Sequence, residues 1–315
     1  GQACRGRHEY AQALAHFKGA FAAVEQQRPT RFLVEVLRHL AELETERQTY
    51  GEALQYYRRM GQAARELRDY ATLAASELGI AKSLIDLVGA QEAPPRADGG
   101  SAPTEDGDSQ PPGIRHLDEA VAVLERLRKR YKDRVRADEL AYEEGRADFY
   151  KALALHWAPL AEGGTRDQRV DEVLQLHAQA ARHLEASREA NPRGHWAPRA
   201  SFTLGRAHSA EGAYLEREAA RLRDAGRLAE AESRRHEARE RFEWALAPFR
   251  DAIHTADRDA LLRAKARMRL GETYSQLEAY AEAVEPFRAV ANDPEIPERF
   301  RFPATRAWEI GRAHV

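Results

Sequence analysis

The chain carries one cysteine, Cys4, in 315 residues, so no internal disulfide can close and the redox compartment is left open. Cys4 sits at a packing position, where a thiol serves as a small core residue rather than a nucleophile. Net charge is also scarce: 49 basic residues against 51 acidic ones leave a formal charge of -2, with no global field arguing for nucleic acid or membrane lipid. No apolar run approaches the roughly 20 residues of a membrane span, which argues against membrane insertion. Asparagine occurs only at Asn191 and Asn292, each in a loop beside proline. What is present, 43% hydrophobic and 32% charged residues with a mean hydropathy of -0.69, fits a soluble helical protein.

Four octets repeat one pattern. An aromatic is followed three residues later by Ala, then Leu or Val, then a second aromatic three further on: Tyr10, Ala13, Leu14, Phe17; Tyr50, Ala53, Leu54, Tyr57; Phe242, Ala245, Leu246, Phe249; and Tyr280, Ala283, Val284, Phe287. Offsets of three, four and seven put all four side chains on one helical stripe, with Ala keeping the middle of the face shallow enough for a second helix to approach. Leu-Gly pairs, as in Leu270 and Gly271 before Tyr280, form the other half of the unit. Glycine inside a helix costs roughly 1 kcal/mol against Ala, so its place predicts close approach of a neighbour. Leu78 with Gly79 and Leu204 with Gly205 repeat the pair. Leu117, Ala120, Val121 and Leu124, and more loosely Ala180, Ala181 and Leu184, repeat the octet without aromatics.

The segment LGETYSQLEAYAEAVEPF, Leu270 to Phe287, closely resembles the core of a tetratricopeptide repeat, two antiparallel helices per unit. The resemblance implies an all-α chain, a right-handed α-solenoid of about six helix pairs. Octets begin 40 residues apart near the amino end and 38 apart near the carboxyl end, against about 34 in the family, so some helices are expected to be elongated. Residue 1 already stands inside a repeat, which predicts a missing beginning and leaves the compartment open between cytoplasm and periplasm. The expected organisation is repeats over 1–88, with helices near 7–26, 30–48, 50–67 and 70–88 punctuated by Pro29, Gly51 and Asp69; a disordered Pro/Gly-rich insertion over 89–113; and repeats over 114–309, with a long charged hairpin near 199–256. Residues 310–315, IGRAHV, read as a non-native tail.

No motif in the sequence would make the chain an enzyme. There is no HExxH, CxxC, GxGxxG or GxSxG; His177 and His183, six apart, face different sides of a helix; and Gly79, Lys82 and Ser83 lack the strand a phosphate loop requires. No metal, cofactor or catalytic residue is expected. The basic run from Arg126 to Arg136 has little aromatic interleaving and reads as a helix carboxyl end.

Function is therefore expected from a surface. The resemblance places on a concave wall, by register, Glu35, Arg38 and Glu42; Leu73, Ser76, Ile80 and Ser83; Arg199, Phe202 and Arg206; and Lys265, Met268, Glu272 and Ser275. Chaperone-binding members of the family grip terminal carboxylates with Asn and Lys. Here the position after the repeat's Gly is Glu42, Ile80, Arg206 or Glu272, which disfavours that reading. The expected role is a scaffold for a protein or peptide partner, with a bacterial envelope as one setting, since the carboxyl repeats resemble those of periplasmic assembly proteins. The alternative is a sensory or regulatory module of a larger signalling protein, because Tyr50 to Val88 resembles the repeats of bacterial signalling regulators.

Overall fold

The computed structural model of the protein describes residues 2–26, 28–91, 112–160, 163–257 and 259–313. Its regular structure is α1 (Gln2–Val24), α2 (Arg31–Glu46), α3 (Tyr50–Glu66), α4 (Tyr70–Gln91), α5 (Pro112–Arg130), a 3-10 turn (Lys132–Arg134), α6 (Ala137–Trp157), α7 (Arg166–Ala190), α8 (Ala197–Asp224), α9 (Leu228–Thr255), α10 (Ala260–Gln276), α11 (Tyr280–Ala291) and α12 (Glu298–Ala313). The chain is all-α, as expected, and no strand occurs among the described residues. It divides into two compact units, residues 1–136 and 137–315. Within each, helices pack chiefly on their neighbours along the chain. Most of the expected insertion, 92–111, lies outside the described residues, as do the last two residues of the expected tail. The helices flanking the former, α4 and α5, reach Gln91 and Pro112.

Four hairpins are closed by one turn. After α2, α3, α8 and α10 a single residue adopts the left-handed conformation, Gln48 (φ 62°), Arg68 (57°), Gly226 (76°) and Glu278 (60°). The next backbone N–H then reaches back to a carbonyl of the finished helix, from Thr49, Asp69, Arg227 and Ala279, each at 2.9 Å. This arrangement satisfies carbonyls that a helix end leaves open. Gly51, expected as punctuation, instead lies in the first turn of α3; the break is at 47–49. Side-chain caps complete other starts. Thr165 and Gln168 form a capping box on α7, and Asp259 accepts from Leu262 N at 2.9 Å on α10.

Three of the octets pack as their spacing predicts; in the first, on α1, Leu14 is buried but Tyr10 is exposed and Ala13 and Phe17 are half-buried, since that helix packs chiefly on α2 among the described residues. Ala53, Ala245 and Ala283 are fully buried, and Phe242, Phe249 and Phe287 are buried beside them in their own octets. The helical glycines lie under these rings: a Cβ at Gly205 would meet the Phe249 ring at 2.6 Å, and one at Gly271 the Phe287 ring at 2.7 Å. Gly79 sits directly under Tyr57, so there the covering ring comes from the preceding helix, not the following one. In α7 the weak octet serves likewise, with Leu184 lying 2.6 Å from where a Cβ on Gly145 would stand.

Candidate functional site

In the first unit α3 and α5 flank α4 and leave a groove of about 470 Å³ above it. Leu73, Ser76, Glu77 and Ile80 of α4 make the floor; Arg58, Gly61, Gln62 and Arg65 make one wall, and Glu119, Ala122, Val123 and Arg126 the other. The shape follows from small residues at mid-length. Gly61 offers no side chain, and a Cβ there would meet Ser76 Oγ at 2.8 Å. Ser76 turns its hydroxyl onto Leu73 O at 2.8 Å, so it offers the groove no free donor. At one end Arg58 reaches across to Glu119 Oε1 at 2.6 Å, tying α3 to α5.

Glu77 is the groove's unusual member. It is 5% exposed, one carboxylate oxygen stands 3.7 Å from Arg126 Nη1, and the other, Oε2, has no hydrogen-bond partner among the described residues. Burial raises its carboxyl above the ordinary range, against the pull of Arg126, Arg65 and Arg130. A charge in that setting is stabilised by a donor that the described chain does not itself supply.

The expected wall residues fall into separate places. Leu73, Ser76 and Ile80 come together in the groove, whereas Ser83 is buried in the core with its Oγ unpartnered among the described residues. On α2, Glu35 pairs with Arg38 at 3.4 Å and Glu42 with His39 at 3.6 Å, an exposed charged strip. On α8, Arg199 is engaged by Asp259 at 3.2 Å, and Arg206 lies over the rings of Phe149 and Phe202 at 4.9 and 5.9 Å. On α10, Lys265 is exposed, Met268 packs beside Ala264, Val290 and Ile296, Glu272 accepts from Arg269 at 2.8 Å, and Ser275 donates to Gly271 O at 3.0 Å. Sequence reasoning missed Glu77 and both walls. Their signal was present in α4, where Glu77, Lys82 and Asp86 are the only charges in an otherwise apolar helix, so each needs a partner.

No family model matches the chain, and no curated protein does. Among solved structures it is similar to yeast Tom70, at 12% identity over 99% of this chain and 94% of that chain, with a TM-score of 0.18. The repeat reading accordingly rests on the glycine and ring contacts above.

The second unit holds a polar chain that runs inward from exposed Arg217 to two buried histidines. Arg217 Nη2 lies 3.3 Å from His156 Nδ1, and His156 Nε2 lies 3.1 Å from His177 Nε2. A guanidinium can only donate, so His156 Nδ1 accepts, its proton sits on Nε2, and it donates to His177. That fixes the His177 proton on Nδ1, which has no partner among the described residues. Both rings are held neutral, their pKa values lowered to about 3, by burial first and then by Arg217 for His156 and by His156 for His177. His183 points elsewhere, to Asp148 at 2.9 Å. No cluster of three or more metal-ligating side chains occurs among the described residues, and no helix among them is long and apolar enough to cross a membrane.

Proposed function

We propose that the chain is a scaffold on which a protein or peptide partner docks, and that the partner enters the groove over α4 between α3 and α5. The observation carrying this reading is the unpartnered, buried oxygen of Glu77 on a concave surface that also offers Leu73, Ile80 and Val123. Apolar floor and a few convergent polar groups are the usual make-up of a recognition site. The walls are helical and tied together by Arg58 and Glu119, so little ordering is required on binding.

The test is a short-peptide display selection on the full chain, repeated with Ala122→Arg, which fills the groove from an exposed wall position, and with Glu42→Arg, which alters the α2 strip. Groove docking predicts binders lost on Ala122→Arg and retained on Glu42→Arg. Binders indifferent to Ala122→Arg would sink the proposal, and loss on Glu42→Arg alone would move the site to α2.

A further inference from the structure

The groove has two unlike ends. Arg58 and Glu119 close one of them, and their charges are spent on each other. Two helical turns along, about 10 Å away, stand Arg65 on α3 and Arg126 on α5. Between these lies Glu77. Arg65 makes no hydrogen bond or ion pair with the described residues, and Glu77 Oε2 accepts no hydrogen bond from them either. One free cationic donor and one free anionic acceptor therefore face the same space, without touching.

The chemistry of an occupant can be read by elimination. An ammonium or guanidinium would satisfy Glu77 but would enter a place where Arg65, Arg126 and Arg130 already act on that carboxylate, adding like charge. A carboxylate would satisfy Arg65 but would face Glu77. A hydroxyl on a serine carries donor and acceptor on one atom at the end of a single carbon, too short to serve both partners from the mouth of the groove. A carboxamide carries a donor and an acceptor on separate atoms, is neutral, and has a methylene stem suited to Leu73, Ile80 and Val123.

We infer that the groove is a subsite for the side-chain carboxamide of a glutamine or asparagine on the docked peptide, its N–H donating to Glu77 Oε2 and its C=O accepting from Arg65. This inference rests on the docking proposal above and names the chemistry it selects. The burial that raises the Glu77 carboxyl adds to the selection, because a buried acceptor left without a donor disfavours every peptide that cannot supply one.

The experiment uses peptides from the selection above whose binding is abolished by Ala122→Arg. Expected is a Gln or Asn at one shared position, and replacing that residue by Leu, Glu or Lys weakens binding roughly tenfold or more, as for lost hydrogen bonds to charged groups, by fluorescence anisotropy. On the Glu77→Gln chain the preference reverses toward the Glu-containing peptide, since the carboxamide introduced on α4 can donate an N–H to a carboxylate. Arg65→Ala, a change at an exposed site that leaves folding intact, weakens the Gln peptide but not its Leu counterpart. Groove-dependent peptides carrying Lys, Arg, Asp or Glu at that position would overturn the inference while leaving groove docking in place. Binding indifferent to Glu77→Gln and Arg65→Ala would do the same, solvent then serving Glu77. Finding no groove-dependent peptide would remove both proposals.

Discussion

His156 and His177 meet Nε2 to Nε2 at 3.1 Å, joining α6 to α7 through two neutral imidazoles. Neutrality sets a pH dependence. Folded values near 3 lie below the ordinary 6.5, so well above pH 6.5 neither state binds a proton and the full stability is present. As pH falls below 6.5 the unfolded chain takes up two protons that the folded unit refuses, and stability declines by about 1.4 kcal/mol per pH unit for each ring. Between about pH 6.5 and 4.5 most carboxylates remain ionised, so the rings dominate the slope. All four tryptophans, Trp157, Trp196, Trp244 and Trp308, belong to the second unit, and urea unfolding followed by their fluorescence reads it alone. His177→Leu should about halve the slope; an unchanged slope would refute the neutral pair.

The shared turn makes a second prediction. Gln48, Arg68 and Glu278 hold a left-handed conformation that costs a residue with a Cβ about 1 kcal/mol, while Gly226 holds it freely. Glu278→Gly should stabilise by up to about 1 kcal/mol, less what glycine adds to the freedom of the unfolded chain, and Gly226→Ala should destabilise by about 1 kcal/mol. Thermal melts of the two variants should shift in opposite directions.

Arg169, buried in α7, donates to Leu155 O at 3.1 Å, Ala158 O at 3.3 Å and Pro159 O at 3.2 Å. It caps the carboxyl end of α6 with a cation, where the helix leaves carbonyls open and the dipole favours positive charge. Arg169→Ala strands those acceptors and should cost about 2 to 4 kcal/mol, and Arg169→Lys, which keeps charge but not the fork, should recover only part of it. Urea unfolding by tryptophan fluorescence measures both; full rescue by Lys would show that charge alone suffices.

Helix spacing and packing were legible because each depends on local periodicity. The octet put Ala53, Ala245 and Ala283 in the inter-helix seam, and there they are. The groove was much less so. Leu73, Ser76 and Ile80 do line it, but the register that named them predicts a concave wall of first helices, whereas the opposing residues Arg65 and Arg126 come from helices on either side of α4 and share no spacing in the chain. The histidine pair escaped for the same reason. A search for ligands on one helix tests offsets of three or four, and His156 stands 21 residues from His177.

Glycine to alanine gives the sharpest test of the packing, because one substitution should change sign with position. At Gly51 a Cβ meets nothing within 4 Å, so Gly51→Ala gains helix propensity of up to about 1 kcal/mol without a clash. At Gly205 the same methyl would stand 2.6 to 2.9 Å from ring atoms of Phe249, which is fully buried and has no room to retreat. There the strain exceeds the propensity gain, and Gly205→Ala should destabilise by about 1 to 3 kcal/mol, the range for overpacking a filled core. Ala53→Leu, adding volume at a fully buried octet position, should cost a similar amount. Denaturant midpoints for the three variants decide it. A stabilised Gly205→Ala would mean that Phe249 does not lie against α8, and an unmoved Ala53→Leu would remove the octet from the seam.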